Sequence, residues 1–190
     1  MKLEIGRQMF HLLVGVFIAG LLYFDVINSI GLLVLLGIAI ILALIYRKWK
    51  IPVISWFVNR FERPENIKGF PAKGAIFFLI GILLSVKLFT KDIALASIMI
   101  VSLGDSVSHI FGRKFGKTKN PIGSERKKLE GTIAGIIAGF VGALVFVSLL
   151  EAFLASFIAM TVEAFDLPID DNLLVPLTAG TVIVLMRMLF

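Results

Sequence analysis

The chain has 190 residues, 58% of them hydrophobic, and a formal net charge of +6. Soluble domains are about 45–50% apolar, so this composition and a mean hydropathy of +0.99 exclude an ordinary water-soluble globule. The absence of cysteine excludes disulfides and thiolate metal sites. We expect one integral membrane domain over residues 1–190, embedded in the lipid bilayer of the cell membrane. We expect no nucleic-acid partner, because in a membrane protein the placement of positive charge matters more than its sum.

Apolar runs that approach the length of a bilayer crossing recur along the whole chain. They predict an all-α polytopic bundle of about seven transmembrane helices, at 8–24, 29–46, 74–90, 93–110, 131–149, 152–165 and 172–189. Around Glu151 the alternative is one long helix followed by a re-entrant piece. Between the second and third spans, residues 47–73 alternate aromatic with basic side chains, a pattern typical of a short interfacial helix.

The basic residues are unevenly distributed over the connections. Of the 19 lysines and arginines, seven lie in residues 47–74 and seven in residues 111–130. The positive-inside rule places both segments in the cytoplasm. Alternation of the spans then puts the N-terminus and the acidic turn at residues 166–171 on the same side. The sequence therefore predicts that its polar groups gather on the cytoplasmic face.

The first span carries polar residues at helical spacing. Glu4, Arg7, His11 and Gly15 recur every three or four residues and so share one face of a helix. This face either lines a site or has a structural role, with Arg7 as an anchor at the membrane surface and His11 as an interhelical hydrogen-bonding group.

Asp105 lies near the end of the fourth predicted span, directly after Gly104. A carboxylate at membrane depth is costly and by default functional. If the helix continues, Ser102, Ser108, His109 and Gly112 share its face. The alternative is a helix end whose aspartate reaches water or caps a neighbour. We favour a functional Asp105, whereas His109 alone is as easily structural as catalytic.

The loop that follows, residues 112–131, contains four glycines and seven cations. Exposed N–H groups of a glycine-rich loop and basic side chains suit phosphate. Charge alone would equally fit a loop that touches anionic lipid headgroups, but the glycine spacing favours nucleotide binding.

Asp170, Asp171 and Asn172 precede the last span. Such residues at a helix start are either caps or hard oxygen ligands suited to Mg²⁺, and the sequence alone weighs the two equally.

Taken in order, these motifs resemble those of the family of dolichol kinases, phytol kinases and CTP-dependent diacylglycerol kinases, which is related to the phosphatidate cytidylyltransferases. The matching positions are Arg7…His11…Gly15, Gly104-Asp105-Ser106, Gly112-Arg113…Gly116, Ser124…Arg126-Lys127…Glu130-Gly131-Thr132 and Asp170-Asp171-Asn172…Pro176. The chain departs from the family pattern at Gln8, where the family has Lys, and at Lys128, where it has Thr. The Asp-Arg-x-x-Asp signature of the cytidylyltransferase branch is absent from the sequence, which favours a kinase.

The resemblance implies Mg²⁺-dependent transfer of the γ-phosphoryl group of CTP to the hydroxyl of a membrane lipid alcohol, with a polyprenol such as dolichol as the preferred acceptor. It implies catalytic roles for Asp105, Asp170 and Asp171, of which Asp105 and Asp171 would hold the metal. Arg7, His11 and Asn172 would bind the acceptor. The nucleotide would be bound by Gly112, Arg113, Gly116, Lys117, Arg126, Lys127, Glu130 and Gly131.

Two alternatives remain open at this point. One is a CTP-dependent cytidylyltransferase that acts on a lipid phosphate, and the other is a small transporter without nucleotide chemistry. Association into a homo-oligomer is also left open.

Overall fold

A computed structural model describes residues 2–49, 51–62, 69–121, 127–165 and 167–189. Helices dominate these residues, and the β-structure among them is limited to an isolated bridge between Lys119 and Lys128. The α-helices are α1 (Lys2–Tyr23), α2 (Ser29–Lys48), α3 (Pro52–Phe61), α4 (Lys73–Leu88), α5 (Lys91–Met99), α6 (Ser106–Phe115), α7 (Leu129–Ala143), α8 (Leu149–Ala164) and α9 (Asp171–Leu189). A π-helical segment, Ile100–Asp105, joins α5 and α6 into one continuous helix.

The predicted all-α bundle is confirmed, and each of the seven predicted spans coincides with a helix. By length and composition, α1, α2, the continuous α5–α6 helix and α9 can cross a bilayer. The other three, α4, α7 and α8, have 16, 15 and 16 residues. At 1.5 Å per residue they are about 24 Å long, shorter than the ~30 Å hydrocarbon layer.

The region around Glu151 contains two helices, not one long helix. Ser148 and Glu151 form a capping box, in which each side chain accepts a hydrogen bond from the backbone of the other. These bonds satisfy N–H groups at the helix start, so α7 ends at Ala143 and α8 begins at Leu149.

The continuous α5–α6 helix lies in the middle of the bundle. It contacts α1, α7, α8 and α9, and its neighbours present small buried residues such as Ala143, Ala155 and Ala179. Small side chains let helix backbones approach closely, which is how helices associate where water supplies no driving force. By contrast, α2 contacts mainly α4 and α3 and exposes large apolar side chains along much of its length.

The predicted helix between the second and third spans is present as α3. Pro52 occupies its first position, where the missing N–H costs nothing. The helix packs against α1, with the rings of Phe61 and Phe10 stacked at 4.5 Å between centroids. Trp56 is exposed. The depth of α3 at the membrane surface stays a prediction.

Candidate active site

Asp105 is the last residue of the π-helical segment. Such one-turn widenings occur frequently at functional sites. The segment is closely packed against α7 and α8. A Cβ on Gly104 would lie 2.8 Å from Sδ of Met160 and 3.2 Å from the carbonyl oxygen of Gly135. A side chain at this position would require Met160 and the Gly135 backbone to shift, so glycine permits the close packing of the widened turn that ends at Asp105. The Asp105 side chain is buried, with 5% of its surface exposed.

Four ionisable side chains from three parts of the chain meet at this point. One ligand atom from each of Asp105, His109, Glu163 and Asp171 lies within 4.8 Å of the others. His109 follows Asp105 by one turn, and its Nε2 is 3.3 Å from Oδ1 of Asp105. Glu163 comes from the end of α8 and Asp171 from the start of α9. We call these four residues the carboxylate cluster.

Lys127 places its ammonium group against the carboxylate cluster. Its Nζ donates to Oε1 of Glu163 at 2.6 Å, to the backbone carbonyl of Glu163 at 2.5 Å and to Oδ2 of Asp171 at 3.1 Å. Burial by itself would lower the pKa of Lys127, but the negative charges of Glu163 and Asp171 outweigh it and raise that pKa above its usual value. Lys127 is therefore a permanent cation at neutral pH.

Two carboxylate oxygens of the cluster are buried and accept no hydrogen bond from the described residues. They are Oδ1 of Asp105, which lies only at ion-pair distance from His109, and Oε2 of Glu163. A buried charged oxygen without a partner is costly. Three carboxylates, two of which have an unused oxygen, are the ligand type that Mg²⁺ prefers, together with water and substrate phosphates. The residues present therefore fit such an ion.

The two aspartates of the acidic turn before α9 make different contacts. Asp170 caps the helix, because its side chain accepts from the N–H of Asn172 at 3.2 Å and its carbonyl accepts from Leu173 and Leu174. Asp171 instead faces Lys127. The sequence weighed a cap and a metal ligand equally for this turn; the structure gives the cap to Asp170 and leaves the adjacent Asp171 as the candidate ligand.

Two of the predicted acceptor-binding residues lie on α1. Arg7 pairs with Glu4, and the His11 ring lies 4.0 Å from that of Phe78, centroid to centroid. Nε of Arg7 and Nε2 of His11 are buried, and neither has a hydrogen-bond partner among the described residues. Gln8, where the family has Lys, is 1% exposed, and its amide donates to Glu4 at 3.4 Å.

A cavity of about 770 Å³ connects these groups. Its wall includes Arg7 and His11 from α1, Asp105 and His109 from the central helix, and the turn from Leu167 to Asn172. Asn172, the third predicted acceptor-binding residue, donates to the carbonyl of Gly74 at 3.3 Å, while its own carbonyl Oδ1 is buried without a partner in the described residues. The structure thus brings Arg7, His11 and Asn172 to the same cavity as Asp105 and Asp171.

The basic loop is held together at its two ends. Oε1 of Glu130 accepts from the N–H groups of Lys117 and Thr118 at 3.0 and 2.9 Å, and the N–H of Asn120 donates to the carbonyl of Lys127 at 3.3 Å. Glu130 therefore stabilises the loop. Its Oε1 atom is occupied by these two backbone hydrogen bonds. Arg126 lies outside the described residues.

Among the remaining predicted nucleotide-binding residues, the glycines lie at close backbone contacts and the basic residues are exposed to solvent. A Cβ on Gly131 would lie 2.9 Å from Cα of Gly112, so these two glycines allow α6 and α7 to touch. A Cβ on Gly116 would lie 2.2 Å from the carbonyl oxygen of Gly112. Arg113 and Lys117 lie at the surface. The Arg113 side chain is 55% exposed, and its Nη2 is 3.9 Å from Oε2 of Glu4; Lys117 is also exposed.

Comparison with known proteins identifies the family to which the chain belongs. A family model described as the cytidylyltransferase family matches residues 3–189. The chain belongs to this family. The match covers nearly the whole sequence, and the resemblance inferred from the short motifs is confirmed.

Curated relatives of this cytidylyltransferase-family protein include lipid kinases. The chain is 31% identical over 141 residues to CTP-dependent diacylglycerol kinase 1 of Saccharomyces cerevisiae, covering 70% of the chain and 47% of the yeast protein. It is 34% identical over 79 residues to chloroplastic phytol kinase 1 of Arabidopsis thaliana, covering 40% and 24%.

An uncharacterized protein of Methanocaldococcus jannaschii is 36% identical over 133 residues, covering 69% of the chain and 66% of that protein. The chain thus spans about two thirds of the archaeal relative and about half of the yeast one. No solved structure matches.

Sequence reasoning did not single out Glu163, and it left His109 open between a structural and a catalytic role. Glu163 lies inside the predicted span 152–165, so the argument that singled out Asp105, the cost of a carboxylate at membrane depth, also applied to it. Its exposed fraction is 1%. The sequence does not show that the end of α8 packs against the central helix. This packing brings Glu163 next to Asp105 and His109 in the cluster.

Proposed function

We propose that this protein is a CTP-dependent kinase that transfers the γ-phosphoryl group to the hydroxyl of a membrane lipid alcohol, with a polyprenol as the acceptor. One observation carries the proposal. Three carboxylates, of which Asp105 and Glu163 are buried, meet with the partly buried Lys127 against them. Two of the three, Asp105 and Asp171, line a cavity whose remaining wall is largely apolar. The names of the yeast and plant relatives, both lipid kinases, support the same reaction.

The carboxylates would hold the metal. Asp105 and Asp171, the predicted metal ligands, are joined by Glu163, which supplies an unpartnered buried oxygen. When bound there, Mg²⁺ would neutralise charge on the phosphates of CTP. Asp170 has a capping role, so the proposal assigns the carboxylate chemistry to Asp171.

The cations would bind the phosphates of CTP. Arg113 and Lys117, exposed at the surface, and Arg126 are the candidates for the outer phosphates. Lys127 is engaged with Glu163 and Asp171, and it reaches phosphate only by exchanging these partners. Phosphoryl transfer needs mainly positioning and electrostatic stabilisation, which this set of residues supplies.

The acceptor hydroxyl would meet Asp105 and His109, which both line the cavity. Its oxygen forms the new bond to the γ-phosphorus, the bond from that phosphorus to the β–γ bridging oxygen breaks, and CDP leaves. The hydroxyl proton passes to the Asp105–His109 pair, where the 3.3 Å separation lets the imidazole share the proton. Asp105 would thereby orient the hydroxyl and also help to hold the metal.

The proposed orientation places this site on the cytoplasmic side, where CTP is available. Its support is the location of 14 of the 19 basic residues in residues 47–74 and 111–130. Both segments adjoin the ends of helices that carry site residues.

The acceptor is tested with purified protein in detergent micelles that contain CTP, Mg²⁺ and one lipid alcohol at a time. We expect mass spectrometry to detect a lipid monophosphate with a polyprenol of 20 or more carbons (about four isoprene units) at a higher rate than with diacylglycerol or phytol. Faster phosphorylation of diacylglycerol would contradict the polyprenol assignment and leave the kinase intact. No phosphate on any alcohol, together with no stabilisation of the protein by CTP and Mg²⁺ against thermal unfolding, would contradict the kinase and favour a transporter.

A further inference from the structure

The cavity that contains Asp105 continues away from the carboxylate cluster as an apolar arm. Three helices form its wall there, with Phe10 on α1, Ala39, Leu42 and Ala43 on α2, and Val53 and Val58 on α3. We call this region the apolar arm. Among the described residues that line the cavity, none of those on α2 is ionisable. The ionisable residues come from α1, the central helix and the turn before α9, together with Glu62 after α3 and Lys73 at the start of α4. One end of the cavity thus suits charged phosphates, and the other suits hydrocarbon.

Two of the three residues of α2 that line the arm are alanines. Ala39 and Ala43 are four residues apart, so they lie on one side of the helix. The exposed positions nearby carry large side chains, with Ile38 at 48%, Ile41 at 57% and Leu44 at 54% exposure. Alanine at these two positions leaves room in the arm that an isoleucine or leucine side chain would occupy.

The arm is unlike the surrounding packed bundle. Buried helix contacts in this protein are tight enough that a single added methyl group would clash at Gly104. A cavity of about 770 Å³ in such a bundle is within the ~300–1,000 Å³ range of sites that enclose small ligands. It accommodates the hydroxyl end of a lipid and the first part of its chain, while a longer chain must extend into the bilayer.

We propose that the apolar arm holds the hydrocarbon chain of the lipid alcohol, with the hydroxyl at Asp105 and His109, and that Ala39 sets the width available to the chain. This inference rests on the proposed function. Continuity of the arm with the carboxylate cluster identifies the occupant, because a chain lying between α1, α2 and α3 ends with its hydroxyl at the cluster. The site therefore selects the part of the acceptor next to the hydroxyl and not its total length.

The test places a phenylalanine ring in the arm and compares it with a phenylalanine placed on the opposite, exposed side of α2. Ala39→Phe should raise KM for a C20 or longer polyprenol about tenfold or more, the order by which hydrophobic pockets discriminate on size. KM for CTP should stay within about twofold, because the nucleotide end is unchanged. Ile41→Phe, on the exposed side of α2, is the matched control and should behave like the unaltered protein.

A short alcohol separates a blocked arm from a damaged protein. For a C5 prenol (one isoprene unit), Ala39→Phe should have little effect on KM, since so short a chain need not pass the ring. Equal KM increases for short and long alcohols, or an equal effect of Ile41→Phe, would overturn the proposal.

A second measurement does not depend on turnover. A polyprenol with a diazirine group on its second isoprene unit, irradiated with the unaltered protein, should crosslink to α2 or α3 between residues 39 and 58. Crosslinks confined to the lipid-exposed side of α9, at Leu185 or Met188, would place the chain outside the arm and overturn the inference. Crosslinks in the arm without any lipid phosphate would retain the arm and contradict the kinase.

Discussion

Replacement of Glu163 by glutamine tests whether the buried lysine and the carboxylates act as a unit. In the structure, Nζ of Lys127 is 2.6 Å from Oε1 of Glu163, and the Glu163 side chain is fully buried. Glutamine keeps the shape and one accepting oxygen but removes the negative charge. A hydrogen bond to a charged group contributes about 1.5–3 kcal/mol, and removal of a whole partner from a buried pair costs about 3–5 kcal/mol.

The lower of these values applies to Glu163→Gln, because two acceptors remain. The backbone carbonyl of Glu163 and the carboxylate of Asp171 still receive hydrogen bonds from Lys127. We therefore expect the free energy of unfolding to fall by about 1.5–3 kcal/mol, which corresponds to roughly 3–12 °C in Tm for a chain of this size. Stabilisation by CTP with Mg²⁺ should weaken in the same variant, because one of the three proposed metal ligands has lost its charge.

The assay is thermal unfolding in detergent, followed with and without Mg²⁺ and CTP. Lys127→Met alone should cost more than Glu163→Gln, since it leaves two buried carboxylates without a counter-charge. The double variant should lose less than the sum of the two single losses. A Tm for Glu163→Gln equal to that of the unaltered protein, with additive losses in the double variant, would refute the coupling.

The pH dependence of this coupling follows from the raised pKa of Lys127. A lysine whose pKa is higher in the folded protein stabilises it fully below the unfolded pKa of about 10.4, and the contribution is lost as pH rises through the folded pKa. In the Glu163→Gln background, where the side chain at position 163 cannot take up a proton, the difference in Tm that Lys127→Met makes should therefore change little from pH 7 to 9. A steep change within that range would contradict a permanently charged Lys127.

Three further predictions concern the site and its side of the membrane. Asp105→Asn should stay folded and lose activity by about 100-fold or more, the effect of losing one preorganised electrostatic contact; equal turnover would make it a structural residue. Asp171→Asn should lose activity similarly, whereas Asp170→Asn, which keeps a capping side chain, should retain most of it; the reverse order would exchange their roles. In oriented vesicles, an impermeant thiol reagent should label Lys119→Cys from the cytoplasmic side and Lys91→Cys from the other; labelling from one side would contradict the topology.

The helices could be predicted from sequence because their signal is local. Runs of apolar residues close to the length of a bilayer crossing need no tertiary information, and all seven predicted spans are helical. The pairing of Asp105 with His109 was likewise within reach, since a spacing of four residues brings side chains together on any helix.

The site could be predicted only in part, because its completion depends on contacts between distant elements. The π-helical turn that ends at Asp105 has no compositional signature, and the close contacts of its Gly104 with α7 and α8 involve residues distant in sequence. Glu163 was identifiable as a costly buried carboxylate but not as a neighbour of Asp105. Lys127 was predicted to contact phosphate. Its place between Glu163 and Asp171 follows from the need of buried carboxylates for a counter-charge.

The central claim is tested most directly by following each phosphorus of CTP in the reaction. A kinase and a cytidylyltransferase both use CTP, Mg²⁺ and a lipid, but they attack different phosphorus atoms. With CTP labelled in separate reactions at the α- or γ-phosphorus, the account predicts γ-label on the lipid alcohol and α-label released in CDP. Label from the α-phosphorus retained on a lipid phosphate, with γ-label released as pyrophosphate, would contradict the kinase and establish the cytidylyltransferase instead.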